Sequence, residues 1–111
     1  MKVTIQNRNV DLGEQTNESI QRRFDYALSR FAPRLRDIRV RLTDLNAERG
    51  GIDKQCSVEA TLTPRGSIVV EVRDSDVGAA VSRAADRLAR RLTDEFERRR
   101  DLRRVDETRT G

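Results

Sequence analysis

The chain lacks several residue types on which catalytic and metal sites depend. Its 111 residues include no histidine and a single cysteine, Cys56. The absence of histidine removes the usual general base and the commonest transition-metal ligand. One cysteine forms neither an internal disulfide nor a thiolate zinc site. The glycine pair Gly50-Gly51 alone is neither a phosphate-binding loop nor a dinucleotide fingerprint. We therefore expect a protein that is not an enzyme and that uses no cofactor or metal.

Long apolar runs are also missing. No stretch approaches the ~20 apolar residues that a membrane-spanning helix needs, and the start of the chain, Met1 to Ile5, has no apolar segment of the secretory type. Cys56 lies in an alternating pattern, which predicts a buried and reduced thiol. These features predict a cytoplasmic protein without a membrane partner.

Arginine supplies nearly all of the positive charge. The sequence has 23 Lys and Arg against 19 Asp and Glu, a net charge of +4, and only Lys2 and Lys54 are lysine. A guanidinium group binds phosphate through paired N–H groups and stacks on bases. A genome whose base composition favours arginine codons is a second explanation for the number of arginines. It explains less well why they align on helix faces.

Hydrophobic periodicity predicts six elements of secondary structure, because alternation is typical of strands and spacings of three and four are typical of helices. They are a strand over Met1 to Gln6, a helix from Glu14 or Asn17 to Phe31, strands over Asp37 to Leu45, Lys54 to Thr63 and Ser67 to Arg73, and a helix over Ser75 to Arg104. We interpret Asn46 to Asp53 as a flexible connection. Residues 1–104 are expected to form one domain and residues 105–111 a disordered charged tail.

The order of these elements predicts the fold. Three consecutive strands joined by short connections form an antiparallel meander, and the helix between the first two strands favours their parallel pairing. Both helices then cover one face of a four-stranded sheet, which gives an α+β, βαβββα two-layer sandwich. The outer sheet face is expected to be polar, with Lys2, Thr4, Arg39, Arg41 and Glu59 on it.

Each predicted helix has an apolar stripe and a capped start. The stripes are Ile20, Phe24, Ala27, Leu28 and Phe31 in the first helix and Val77, Val81, Ala84, Leu88 and Leu92 in the last. Thr16 or Asn17 is the candidate N-cap of the first helix, and the acidic turn Asp74 to Asp76 is expected to cap the last. Pro33 is expected to stop the first helix.

The arginine-bearing helix faces make RNA a candidate ligand. The candidate RNA-binding residues are Arg23, Tyr26, Arg30, Arg83, Arg87, Arg90, Arg91 and Arg98. Arginines bind phosphates, and a tyrosine between two of them can stack on a base. Asp94 and Glu95 follow the Arg87–Arg91 segment and lie three and four residues from Arg91, at helical ion-pair spacing, so an ordinary soluble helix face is the alternative. Docking of a protein partner and a metal-dependent hydrolase that uses carboxylates are the other two hypotheses.

A resemblance to a known family rests mainly on the second half of the chain. Its residues are Val69-Val70-Glu71-Val72, the turn Asp74-Ser75-Asp76, Val77-Gly78-Ala79-Ala80-Val81 and Ala85-Asp86-Arg87-Leu88-Ala89-Arg90-Arg91-Leu92, joined at the start by Val3-Thr4-Ile5 and Asn7-Arg8-Asn9-Val10. In this order they resemble the ribosome hibernation promoting factor and ribosome-associated translation inhibitor family. Arg23, Arg87 and Arg90 match basic positions of that family. Gly78 replaces its usual tyrosine, and Asp94 and Phe96 stand where the family is often basic.

The resemblance implies both a fold and a function. The fold would be similar to the double-stranded-RNA-binding domain. The expected partner is the small ribosomal subunit and its rRNA, in the channel for messenger and transfer RNA, where binding inhibits translation under stress or in stationary phase. Neither a small-molecule substrate nor a homo-oligomer is implied. Because the sequence ends at Gly111 without a second domain, it is similar to the short form of the family. Whether it pairs ribosomes or silences single ones stays open.

Overall fold

A computed structural model describes residues 1–45 and 54–109 of the chain, with side chains described as far as Arg104. The elements are β1 (Lys2–Arg8), α1 (Asn17–Leu28), a 3₁₀ helix (Ser29–Arg34), β2 (Leu35–Asp44), β3 (Lys54–Leu62), β4 (Ser67–Asp74) and α2 (Val77–Arg109). The predicted flexible connection at Asn46 to Asp53 lies outside the described residues. Helix α2 continues to Arg109, five residues past its predicted end at Arg104 and into the segment predicted as a tail.

The four strands form one sheet in the order β1-β2-β3-β4. Strands β1 and β2 are parallel, whereas β2, β3 and β4 form an antiparallel meander. One inward row crosses the whole sheet, since Ile5 is opposite Val40, Val40 is opposite Val58 and Val58 is opposite Val70. The predicted α+β fold with a mixed four-stranded sheet is confirmed.

The core lies between the sheet and the two helices. All five residues of the predicted α2 stripe are buried, and in the α1 stripe only Ala27 stays partly exposed. Cys56 is buried on the inner side of β3, and burial raises the pKa of its thiol from 9.0 to about 12. The prediction of a buried thiol is confirmed. On the outer sheet face, Arg39 and Arg41 are exposed.

Both helices begin at the predicted capping residues. The Thr16 hydroxyl accepts a hydrogen bond from the Ser19 N–H at 3.0 Å, and the Thr16 N–H donates to the Ser19 hydroxyl at 2.9 Å. At the start of α2, the Asp76 carboxylate accepts from the Ala79 N–H at 2.8 Å. Each contact satisfies an N–H group that has no partner within the helix.

The end of α1 differs from the prediction. The α-helix ends at Leu28 and not at Phe31, and the chain continues as the 3₁₀ helix that contains Pro33. Proline has no N–H to donate and clashes with the preceding turn of an α-helix, so a tighter 3₁₀ segment accommodates it. This segment brings Phe31 against Phe96 of α2, with ring centroids 5.9 Å apart.

Strand boundaries also shift slightly. Strand β1 continues to Arg8, two residues past the predicted end, and β2 begins at Leu35, two residues before the predicted start. Across the described residues, no helix combines the length and apolar character that crossing a membrane requires.

Candidate nucleic-acid interface

Three arginines share an exposed face of α2. Arg83, Arg87 and Arg90 follow one another at steps of four and three, so their side chains leave the helix on the same side. Together with Asp86 they line a surface cleft of about 210 Å³. The helix itself therefore supplies a positively charged concave surface with one carboxylate inside it.

Helix α1 adds a fourth arginine to this surface. The Arg23 Nη2 atom donates to the Asp86 carboxylate at 2.7 Å and contacts the Ser82 carbonyl oxygen at 3.5 Å. The Asp86 side chain is 70% exposed, so the ion pair contributes only about 0–1 kcal/mol to stability. Its main consequence is positional, because it holds a guanidinium of α1 beside the arginines of α2.

Two of the α2 arginines also contact the edge strand β4. The Arg87 Nη1 atom donates to the Glu71 carbonyl oxygen at 2.9 Å. The Arg83 Nη1 atom lies 3.4 Å from the Arg73 carbonyl oxygen and 3.3 Å from the Asp74 carboxylate. Each guanidinium carries five N–H donors, so these contacts leave further donors for a phosphate. The strand thereby fixes where the two arginines present their charge.

The carboxyl group of Asp74 is held in its ionised form. The Asp76 N–H donates to it at 3.0 Å, and this hydrogen bond lowers the pKa of Asp74, with a further lowering from the nearby Arg83 guanidinium. Asp74 and Asp86 are thus the two carboxylates among the four arginines. The surface keeps an excess of positive charge.

Tyr26 lies further along α1, and Arg30 lies in the 3₁₀ helix that follows it. The Tyr26 side chain is 84% exposed and makes no hydrogen bond or ring contact with any described residue, so its ring is open to stacking. The Arg30 guanidinium donates to the Thr93 hydroxyl at 3.1 Å and stacks 4.6 Å above the Phe31 ring. Arg30 is therefore part of the far end of the helix pair and not of the Arg83–Arg90 cleft.

Arg91 and Arg98 lie on the β4 side of α2. Together with Asp94 and Glu95 they line a cleft of about 380 Å³ against the start of β4. The Arg98 guanidinium pairs with Glu95 at 2.7 Å, and this hydrogen bond lowers the pKa of the Glu95 carboxyl group, with smaller contributions from the charges of Arg98 and Arg99. Arg98 is thus largely neutralised.

The ion pairs expected from spacing differ from those formed. Glu95 pairs with Arg98 and Arg99. In the part of the chain that the structure describes, neither Arg87 nor Arg91 forms an ion pair with Asp94 or Glu95. The solvated-face hypothesis therefore applies to the C-terminal half of α2 better than to the Arg83–Arg90 segment.

Sequence reasoning missed a second group of basic residues at the far end of the helices. Arg34, Arg100 and Arg103 join Arg30 around a cleft of about 370 Å³. The spacing of three between Arg100 and Arg103 was a usable signal. No signal in the sequence indicated the position of Arg34, because that position depends on the 3₁₀ turn around Pro33.

The described residues contain no group of three or more His, Cys, Asp or Glu side chains arranged to hold a metal ion.

Phe96, at a position that the family resemblance makes often basic, is a buried core residue 8% exposed. It packs on Phe31 and carries the Arg34 guanidinium 4.7 Å above its ring.

Comparison with known proteins gives both a family and a fold. Residues 3–100 match the family model described as Sigma 54 modulation protein / S30EA ribosomal protein. A solved ribosomal subunit interface protein from Coxiella burnetii has a similar fold, with a TM-score of 0.65 and 13% identity, covering 87% of this chain and 99% of the other. The N-terminal domain of Protein Y from Thermus thermophilus is also similar, with a TM-score of 0.55 and 24% identity, covering 82% of this chain and 91% of the other.

No curated protein sequence matches the chain. The family match nevertheless extends over almost the whole described fold, and it confirms the resemblance drawn from the sequence motifs. The chain belongs to the Sigma 54 modulation protein / S30EA ribosomal protein family.

Proposed function

We propose that this protein is a non-catalytic, ribosome-associated translation inhibitor of the cytoplasm that binds rRNA of the small ribosomal subunit. Membership of a family described as a ribosomal protein supports the ribosomal partner. The single observation that carries the RNA contact is the grouping of Arg23, Arg83, Arg87 and Arg90 from two helices on one exposed surface.

The chemistry of this surface suits a phosphate backbone. Guanidinium groups bind phosphate oxygens through charge-assisted hydrogen bonds, and several of them held at fixed positions match successive phosphates. The Arg23–Asp86 pair places the Arg23 guanidinium beside the arginines of α2, and the β4 carbonyls position Arg83 and Arg87. Recognition then requires little rearrangement of the protein.

The protein inhibits translation by steric exclusion and not by catalysis. A folded domain held on the rRNA of the messenger and transfer RNA channel excludes those RNAs by occupying their space. The exposed ring of Tyr26 adds a stacking surface for an unpaired base on the α1 side. Binding under stress or in stationary phase would keep idle subunits out of translation.

Co-sedimentation with purified small ribosomal subunits at several salt concentrations tests this proposal. We expect a saturable complex near one to one whose log affinity falls with log salt by about 0.7 to 0.9 for each neutralised phosphate. The variant R87E/R90E should lose most of the affinity. The matched control R39E/R41E makes the same charge change on the outer sheet face and should bind normally.

Two results would contradict the proposal. Equal loss of binding in both double variants would mean that net charge and not the helix surface drives association. A complex that survives ribonuclease treatment of the subunits would mean that a protein partner is bound, which is the alternative function for this fold.

A further inference from the structure

The far end of the helix pair carries a second cleft that the proposed ribosomal contact does not use. It lies between the 3₁₀ helix and the C-terminal half of α2 and has a volume of about 370 Å³. Small-ligand sites have volumes of roughly 300–1,000 Å³. The cleft is therefore large enough for one compact ligand.

The lining of this cleft is strongly basic. Four arginines, Arg30, Arg34, Arg100 and Arg103, contribute to it, and Glu97 is the one carboxylate among the described residues that line it. Within residues 1–45 and 54–104, none of these four arginines forms an ion pair. By contrast, Arg98 and Arg99 on the same helix are paired with Glu95. The excess of positive charge favours an anionic ligand.

The floor of the cleft is aromatic and orders two of the arginines. The Arg30 guanidinium lies 4.6 Å from the Phe31 ring centroid, and the Arg34 guanidinium lies 4.7 Å from the Phe96 ring centroid. These are cation–π distances, so each guanidinium plane has one side against a ring. The Thr93 hydroxyl accepts a hydrogen bond from Arg30 at 3.1 Å and fixes it further.

Ordered and exposed guanidinium planes are good stacking surfaces for a nucleobase, because the side turned away from the phenylalanine remains open. Among the described residues, Arg100 and Arg103 have no hydrogen-bond acceptor, so their N–H donors are available for phosphate oxygens. One end of the cleft therefore suits a flat aromatic base and the other suits a phosphate.

We propose that this cleft is a binding site for a phosphorylated nucleotide, with the base stacked on Arg34 or Arg30 and the phosphate held by Arg100 and Arg103. The nucleotide can come from two sources, a free nucleoside phosphate or one unpaired residue of an RNA chain. The proposal depends on this cleft alone and is independent of ribosome binding.

Nuclear magnetic resonance titration of the ¹⁵N-labelled full chain tests it. The probes are adenosine diphosphate, the tetranucleotide A4 RNA, inorganic pyrophosphate and adenosine. We expect saturable shifts at the amides of Arg30, Thr93 and Arg100 with adenosine diphosphate, A4 or both. Pyrophosphate and adenosine, each with half of the ligand chemistry, should bind at least about tenfold more weakly.

The source of the nucleotide follows from the same titrations. Tighter binding of adenosine diphosphate than of A4 would identify a free nucleotide, and tighter binding of A4 would identify an RNA chain. Absence of shifts at the cleft with both probes would overturn the proposal. Pyrophosphate that binds as tightly as adenosine diphosphate would also overturn it, because the site would then be an unselective anion cleft.

Substitutions test whether nucleotide binding depends on this cleft or only on the net charge of the protein. R34Q/R100Q should weaken the affinity about tenfold, which corresponds to about 1.4 kcal/mol, whereas R65Q/R73Q, with the same charge change elsewhere, should stay within about twofold. Equal weakening in the two double variants would contradict the site. Should R34Q/R100Q unfold, R103Q provides the same test, because Arg103 makes no ring contact within the described residues.

Discussion

Seven arginines of α2 fall into two groups that look alike in the sequence. The tethered arginines, Arg83, Arg87 and Arg99, each donate to a backbone carbonyl of β4 or of the turn before it. The unbonded arginines make no hydrogen bond or ion pair with any residue that the structure describes, and they are Arg90, Arg91, Arg100 and Arg103. Both groups are spread along one helix and carry the same charge.

The tethered arginines have a structural role at β4, whereas the unbonded arginines are available to bind a ligand. β4 is an edge strand, and its free carbonyls invite pairing with another chain unless something covers them. Glu71 and Arg73 are alternate residues, so their carbonyls point to the same side of β4, and Arg87 and Arg83 cover that side. An unbonded arginine has no internal contact to give up and keeps every donor for an external phosphate.

The largest effect that distinguishes the two groups should be on ribosome binding. We expect R90M to lower the affinity for small subunits about tenfold, or about 1.4 kcal/mol, and to reduce the salt slope by about 0.7 to 0.9. R87M should lower the affinity less, because part of that guanidinium already serves the strand. Co-sedimentation measures both, and equal losses for the two variants would erase the distinction.

The stability of the fold should fall more in R87M than in R90M, which is the opposite of the order expected for ribosome binding. R87M removes the hydrogen bond to the Glu71 carbonyl and should lower the free energy of unfolding by about 0.5–1.5 kcal/mol. A change of 1 kcal/mol moves the Tm of a small domain by roughly 4–8 °C. R90M is the matched control and should leave the Tm unchanged. Thermal denaturation of the two variants side by side decides this, and a larger loss in R90M would refute the assignment.

Sequence patterns were sufficient for the core of this fold. The row from Ile5 through Val40 and Val58 to Val70 follows from alternation, because a strand that faces the core on one side must place apolar residues at every second position. The same holds for the α2 stripe. Such patterns are local, and each one fixes the face of its own element without information about the others.

Patterns were insufficient wherever a side chain reaches another element. The bond from Arg87 to Glu71 depends on how far α2 is shifted along β4, which no spacing within α2 encodes. The second cleft depends on the 3₁₀ turn around Pro33, which carries Arg34 onto Phe96. For the eight candidate RNA-binding residues, the sequence identified exposed or partly exposed positions, but only the tertiary arrangement separates Arg87, which donates to the Glu71 carbonyl, from Arg90.

The smallest effect concerns the ion pairs of Glu95, which form a third state for an α2 arginine. Because Arg98 lowers the pKa of Glu95 below its ordinary value of 4.5 in the folded protein, the pair stabilises the fold above that value. The stabilisation is lost as the pH falls below about 4.5 and through the lower folded-state pKa. It should amount to less than about 1 kcal/mol, since the pair is partly exposed.

E95Q should therefore be slightly less stable than the parent near neutral pH, and the two Tm values should converge as the solution is acidified. E97Q is the matched control, because Glu97 forms no ion pair within the described residues, and its Tm should follow that of the parent throughout. Parallel curves for E95Q and the parent would mean that the Glu95 pairs contribute nothing. Arg98 would then belong with the unbonded arginines, and its removal should weaken RNA binding as strongly as the removal of Arg90.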